Sequence, residues 1–433
     1  MKPRILLMQT GGTLSQEKGD DGVYRPSNKG IQDVLRKVIS SNELDKIADI
    51  TIEELFNIDS TNMTYLDRVR IAVNICQKYK NYDGFVILHG TDSMADSAAA
   101  LNYKIQNLGK PIVLTGSQKS LFEPASDAPN NIYNAIKTAT LDIGEIVIVF
   151  SNKILRGVRT IKESEYELDA FSSPRVEPLG KIEKDIFLKN HVIPRSRYEE
   201  EPTLFTNFDT YVSLYQQTSG TTTNDLEYLV ENKGVHGIIL GAYGAGNVQS
   251  RLLPSIEKAT KIGKPVLLVA NCRNCRRKTA NILYEVGLSP LEAGAISGGD
   301  ITLEAAIQKL MYALGKANEE GYEGENKIAF VRGIISKNIN QDITETSEEY
   351  IIRGDKRYEL IHHSAHPLQR EIGPHVHIRF LGMPEDVRLA RQNLEKSIET
   401  KLDCIASDIY NHGTNYEIPI ERWHQVIRRK EKK

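Results

Sequence analysis

Cysteine, tryptophan, unbalanced charge and long apolar runs are all scarce in this chain of 433 residues, and each scarcity excludes a class of protein. Four cysteines, Cys76, Cys272, Cys275 and Cys404, are too few and too scattered for a disulfide framework, which fits a reducing compartment. Only Cys272 and Cys275 lie close together, as C-R-N-C, and no second thiol or histidine pair follows at zinc-finger spacing. The flanking Arg273, Arg276 and Arg277 favour a turn there. No stretch approaches the length of a membrane-spanning helix, so no membrane partner is expected. The first apolar run, Ile5–Met8, passes directly into Gly11-Gly12, which predicts no signal peptide and a cytoplasmic protein. With 55 Lys and Arg against 57 Asp and Glu, the net charge of −2 speaks against a nucleic-acid footprint spread over the whole surface.

What is present is an ordinary globular composition, 40% apolar and 26% charged, in a chain long enough for two or three domains. Short apolar runs alternate with amphipathic stretches over the first three hundred residues, which predicts an α/β fold whose parallel-rich sheet is covered by helices. Strands are expected at Ile5–Gln9, Asp49–Glu54, Gly84–His89, Pro111–Thr115 and Glu145–Ser151. Helices are expected at Ile31–Ser40, Tyr65–Tyr79, Ser93–Leu108 and Asn130–Leu141. These define a first domain, 1–188. A polar segment, 189–206, carrying Pro194, Pro202 and Glu199-Glu200-Glu201, reads as a linker. A second, smaller α/β domain, 207–333, has expected strands at Thr210–Leu214, Val235–Leu240 and Pro265–Ala270. Its last helix is expected to end near Gly315, before a glycine-rich charged loop at Glu319–Asn326. The remaining residues, 334–433, hold seven of the ten histidines and read as a third, α+β module.

Chemistry in an open α/β sheet is sought beyond the carboxyl ends of strands. Thr10-Gly11-Gly12-Thr13 follows the first expected strand, His89-Gly90-Thr91-Asp92 the third, and Thr115-Gly116-Ser117-Gln118 the fourth. Paired glycines let a backbone turn sharply and expose amides, and hydroxyls beside them can face a bound carbonyl. Three such endings in one sheet gather Thr13, Thr91 and Asp92 around one crevice, the arrangement acyl transfer needs. Ser117 reads equally well as a cap of the following helix. His89, just before a glycine at a strand end, reads as a packed side chain rather than a catalytic one.

The motifs T-G-G-T-L at 10–14, G-V-Y-R-P-S at 22–27, D-S-T-N-M at 59–63, H-G-T-D at 89–92 and V-L-T-G-S-Q at 113–118 resemble those of the bacterial-type L-asparaginases, specifically the cytoplasmic type I branch. R-G-V-R-T-I-K at 156–162, D-A-F-S-S-P at 169–174, A-Y-G-A-G-N at 242–247 and S-G-G-D-I-T at 297–302 continue the resemblance to about Leu314. It implies hydrolysis of the side-chain amide of L-asparagine, with some activity on L-glutamine, in a homo-oligomer of two or four chains and with no cofactor. It further implies that Thr13 is the nucleophile, with Tyr24 on a mobile lid beside it, and that Thr91, Asp92 and Lys162 form a second triad. Gly12 and Thr91 would supply the oxyanion hole. Ser60 would hold the substrate's α-carboxylate and Asp92 its α-amino group, with Asp59, Thr61 and Ser117 lining the pocket. Asn62 stands where many relatives carry Asp. The segment around Cys272 matches the position of a second, regulatory asparagine site in some type I enzymes.

The implied chemistry is coherent in its own terms. A threonine hydroxyl is a weak nucleophile at neutral pH and needs a base or a hydrogen-bond relay to draw off its proton. Lys162 serves if enough of it is neutral, with Asp92 tuning it. Without the resemblance, R-T-I-K-E-S-E would read as a solvated charged segment. The lid sequence Gly19-Asp20-Asp21-Gly22 suits a hairpin that opens and closes.

The third module resembles nothing recognised. His375 and His377 flank Val376 at strand spacing, and His362, His363 and His366 precede them. Ordinary packing, a metal site at His362, His366, His375 and His377, and nuclease-like chemistry are the readings open there. Val387, Leu394, Ile398, Leu402, Ile405 and Ile409 predict one amphipathic helix. The basic tail Arg428–Lys433 reads first as a solvated helix end, and a nucleic-acid contact stays open for this module alone. Two other functions compete with hydrolysis: an asparagine-responsive sensor whose last module carries the output, and the glutaminase subunit of a tRNA-dependent amidotransferase.

Overall fold

The protein is described here from a computed structural model covering residues 2–26, 31–195, 201–244, 246–272 and 285–344, with strand segments at 349–353, 356–360, 375–380 and 415–419. The expected two-domain α/β architecture is found. In the first domain, β1 Arg4–Gly11, β2 Asp49–Ile58, β3 Gly84–Leu88, β4 Ile112–Thr115, β5 Ile146–Phe150, β6 Lys153–Arg156, β7 Gly180–Ile182 and β8 Ile186–Leu188 form one sheet. Its order is β8-β7-β6-β5-β4-β3-β1-β2. Pairing is parallel from β2 to β5 and antiparallel from β5 to β8.

The run Ile5-Leu6-Leu7-Met8 is fully buried because both faces of β1 are covered. Ile5 and Leu7 pack with α1 Ile31–Ser41 and α4 Ala128–Ala139 on one face. Leu6 and Met8 pack with α2 Tyr65–Lys78 and α3 Met94–Lys104 on the other. Nearly every residue of α3 is buried, since its outer side meets the second domain. There Ala99, Tyr103 and Val158 join a core built on the helix Leu303–Glu319 of that domain.

The second domain is a parallel sheet of β9 Val212–Gln216, β10 Gly237–Ala242, β11 Val266–Ala270 and β12 Ile296–Ser297, in that order. Its helices are α5 Thr223–Glu231, α6 Leu253–Lys261, α7 Glu285–Glu292, α8 Leu303–Glu319 and α9 Gly324–Ser336.

Three expectations about boundaries are corrected. The last helix of the second domain runs past Gly315 to Glu319, and the charged loop after it gives way to α9, whose Ile328, Val331 and Ile335 are buried. The boundary after Gly333 therefore falls inside a helix. The compact unit continues to Thr344, with Asp342 and Ile343 buried. In the linker 189–206, Ile193 is buried, Arg195 bonds the carbonyls of Asp83, Ala139 and Leu141, and Thr203–Leu204 pairs with Ile105–Gln106. These residues are packed on the first domain.

In the third module, Glu349–Arg353, Lys356–Leu360, His375–Phe380 and Asn415–Pro419 form a four-stranded sheet in which His377 stands in register with Glu349 and Glu417. His375 and His377 lie on the strand His375–Phe380. His362, His366, the helix expected at Val387–Ile409 and the basic tail lie outside the described residues.

Candidate active site

Three adjacent strands, β3, β1 and β2, deliver three of the motifs to one edge of the sheet. The β1–β2 ladder shifts register between Gln9 and Gly11, a bulge that carries Gly11 and Gly12 into positive φ, 107° and 89°. Gly12 then passes so close to the β3 ending that a methyl group on it would lie 2.2 Å from Gly90 Cα. A methyl on Gly90 would in turn lie 2.5 Å from Ser60 Oγ. Backbone contact at these glycines brings Thr13, Thr91 and Ser60 to one place, because each follows or abuts a point where the chains touch.

Thr13 opens a short 3-10 turn, Thr13–Ser15, and is partly exposed. Among the described residues its hydroxyl has no hydrogen-bond partner. The turn is fixed from behind, where Ser15 Oγ lies 3.0 Å from both the Gly12 carbonyl and Asn57 Oδ1 and shares its one proton between these acceptors. Thr91 is buried, and Lys162 Nζ donates to its Oγ1 across 2.9 Å. The same Nζ lies 2.6 Å from Asp92 Oδ1, while Thr61 Oγ1 donates to Asp92 Oδ2 across 3.4 Å. Lys162 arrives from a two-residue strand, Ile161–Lys162, paired with Phe171–Ser172.

Asp59 caps the turn Ser60–Asn62. It accepts from the Thr61 amide at 2.9 Å and from Gln16 Nε2 at 3.0 Å, and these bonds hold its carboxyl below the usual carboxylate range. Ser60 is buried, and Ser93 Oγ donates to its carbonyl. Asn62 is exposed.

Tyr24 lies on the hairpin Gln16–Lys18 and Tyr24–Pro26, which contacts the Thr13–Ser15 turn. Its hydroxyl donates to Glu123 Oε1, which pushes the phenol's pKa upward and keeps it protonated. His89 is fully buried between the Gly90 carbonyl and Ser97 Oγ, and burial lowers its pKa to about 4. It is packed, as expected.

Two of the expected positions differ. The Gly12 amide donates to the Ile58 carbonyl at 3.0 Å, because the β1–β2 ladder continues past the bulge, so it is not free for an oxyanion. Among the described residues, the backbone amides of Thr13 and Thr91 have no hydrogen-bond partner. Ser117, buried, turns its hydroxyl to the Lys119 carbonyl at 2.5 Å and builds the turn after β4.

The comparisons with known proteins decide the family. Residues 4–194 match the family model described as asparaginase, N-terminal, and residues 211–322 match the one described as glutaminase/asparaginase C-terminal domain. L-asparaginase 1 of Escherichia coli is 32% identical over 352 residues, covering 79% of this chain and 98% of that protein. The chain belongs to the asparaginase family. The L-asparaginase of Dirofilaria immitis is 31% identical, and the chain spans only 61% of its length. A glutamyl-tRNA(Gln) amidotransferase subunit of Pyrococcus abyssi is 32% identical, covering 72% of each chain. Among solved structures, the thermostable L-asparaginase from Thermococcus kodakarensis superposes with a TM-score of 0.70 at 31% identity, covering 79% of this chain and 99% of that one.

Within this asparaginase fold, a second concave site lies between the domains. A cavity of about 380 Å³ is lined by Lys162 and Arg175 from the first domain and by Gln216, Asn271 and Glu304 from the second. Cys272 is exposed at its side, and its carbonyl accepts from Arg175 Nη2 at 3.2 Å. Among the described residues no helix is long and apolar enough to cross a membrane. Sequence reasoning missed Glu123, the partner of Tyr24. Its only signal was the hydroxyl-rich run after β4.

Proposed function

We propose that this protein is an L-asparaginase, hydrolysing L-asparagine to L-aspartate and ammonia, with L-glutamine a second substrate. The observation that carries the reading is Lys162 bridging Thr91 and Asp92 beside the Gly12–Gly90 contact, with the unpartnered Thr13 hydroxyl at the same edge. In this reading Thr13 Oγ1 attacks the amide carbon while Lys162, in its neutral form, accepts a proton from Thr91 Oγ1, which takes up the proton of Thr13. The amides of Thr13 and Thr91 receive the oxyanion. Collapse breaks the C–N bond, the relayed proton leaves with ammonia, and water then cleaves the acyl ester and restores Thr13. Ser60, Asp59 and Asp92 hold the α-carboxylate and α-amino group, with Thr61 bracing Asp92. Tyr24 closes over them.

Purified protein should release ammonia from L-asparagine, and Thr13→Ala should abolish the release; a folded wild type inert on asparagine and glutamine would refute the reading. Ligand binding without turnover would favour the sensor. Co-purification with a tRNA-linked partner would favour the amidotransferase subunit.

The two described cysteines are free thiols, which suits a cytoplasmic enzyme, and a dimer or tetramer accords with the family resemblance. A regulatory asparagine site near Cys272 is supported by the cavity beside it. Rates that rise sigmoidally with asparagine would reveal it, and a hyperbolic curve would count against it.

A further inference from the structure

The most heavily buried charges of the described residues lie where the two domains meet. Arg159, 1% exposed, places Nη2 2.6 Å from Asp300 Oδ2 and donates through Nη1 to the Asp342 carbonyl at 2.5 Å. Thr344 completes this side, donating its amide to Asp300 Oδ1 at 2.9 Å and accepting from Arg159 Nη2 at 3.1 Å. The Asp342 carboxylate, fully buried, takes Lys309 Nζ at 2.7 Å and the Tyr103 hydroxyl at 2.9 Å, and its Oδ1 accepts from the Ile339 amide at 2.9 Å. Asp342 lies beyond both matched segments, 4–194 and 211–322.

The partners of Asp342 lead to the two halves of one active-site contact. Tyr103 is near the end of α3, the helix that begins just after Thr91 and Asp92. Arg159 closes the turn Gly157–Arg159, which leads through Thr160 into Lys162. The other end of that turn is fixed by the buried pair Arg156–Glu145 at 2.6 Å. The segment 339–344 therefore grips, from behind, both the element carrying Thr91 and Asp92 and the element carrying Lys162. Arg159 is held through Nη1 and Nη2, its Nε being buried without a partner, and Asp342 through both carboxylate oxygens and its carbonyl, which restricts how far either can move.

We propose that Asp342 is a positioning residue for Lys162: its carboxylate holds Tyr103 and fixes the 339–344 segment whose Asp342 carbonyl holds Arg159, and together these set the distance of Lys162 to Thr91 and Asp92. The inference rests on the asparaginase reading. It makes residues 337–344 part of the catalytic unit and moves the separable end of the chain beyond Thr344.

The test is steady-state kinetics of the full chain carrying Asp342→Asn, with milder variants Tyr103→Phe, which removes the bond to Asp342, and Thr344→Val, which removes the hydroxyl's bonds to Arg159 and Asp300. Misplacement of a reacting group by about 1 Å costs on the order of 100-fold. In folded protein, Asp342→Asn should therefore lower kcat by about 10- to 100-fold and raise KM by a smaller factor, because Ser60 and Asp59 are untouched while Asp92 shifts with Thr91. The two milder variants should show smaller losses in kcat, and Asp342→Glu should restore part of the rate. Should Asp342→Asn fail to fold, the milder pair decides. Folded variants with unchanged kcat, or losses that merely follow the folded fraction measured by circular dichroism, would overturn the proposal. Either result requires an active wild type, whereas an inert wild type would refute the asparaginase reading instead.

Discussion

Gly12 and Gly90 touch backbone to backbone, so closely that neither position has room for a side chain. Their contact, rather than any side-chain bond, holds the Thr13 turn against the Thr91 turn. Gly12→Ala combines a clash at 2.2 Å with a φ of 89° that an alanine adopts at a cost. It should destabilise the fold by about 3 kcal/mol or more and abolish activity. Gly90→Ala meets Ser60 instead and should raise KM for asparagine more than it lowers kcat. Denaturant melts and initial rates check both, and a stable, active Gly12→Ala would show that the two chains are not in contact.

Lys162 joins Thr91 to Asp92 and is little exposed, yet its removal leaves no buried charge, since the Asp92 side chain is 61% exposed. Lys162→Met should therefore lower kcat by roughly 10²- to 10⁴-fold, the usual worth of a proton-transfer group, at nearly constant stability. Asp92→Asn should lower kcat and raise KM together, because Asp92 both holds Lys162 Nζ and faces the substrate amine. An unchanged kcat in Lys162→Met would remove it from the mechanism.

The strand endings were legible because apolar runs buried on both faces stop abruptly at Gly, Thr and Asp. Ile5–Met8 and Gly84–Leu88 needed no partner information to be read. The strands β6 to β8 were not anticipated: Lys153–Arg156 and Gly180–Ile182 are short and pair antiparallel at the far edge of the sheet, where the apolar pattern is weak. Helix α9 was hidden by the Gly324-Glu325-Asn326 start, although Ile328, Val331 and Ile335 carry its period. The convergence of Arg159, Asp300 and Asp342 from sites up to 183 residues apart had no local signature. For Gly12, the motif located the residue, but only the ladder to β2 revealed where its amide bonds.

His89 provides a pH signature independent of catalysis. A carbonyl can only accept, so Nδ1–H donates to Gly90 at 2.7 Å and Nε2 accepts from Ser97 at 2.8 Å, which fixes the neutral tautomer. The folded state binds its proton only near pH 4, whereas the unfolded chain binds it near 6.5. The stabilisation from neutral His89 is thus present above 6.5 and is lost as pH falls towards 4. Between about pH 7.5 and 5 this group should cost roughly 2 kcal/mol of stability. His89→Gln, less stable at neutral pH, should show a shallower decline over that interval in urea unfolding. An equal decline in both proteins would mean that His89 does not titrate as its burial requires.

Tyr24 and Glu123 make the last prediction, and it separates a lid function from lid packing. The ring is exposed and, among the described residues, the hydroxyl bonds only Glu123, so Tyr24→Phe should leave stability within about 0.5 kcal/mol of wild type. If the phenol closes on Thr13 during turnover, the same variant should lower kcat by at least about 100-fold. Glu123 acts only through that hydroxyl. Glu123→Gln should therefore have a milder effect, and the double variant should be no slower than Tyr24→Phe alone. Additive losses in kcat/KM would assign Glu123 a role of its own. A Tyr24→Phe enzyme at full rate would reduce the hairpin to a wall of the pocket.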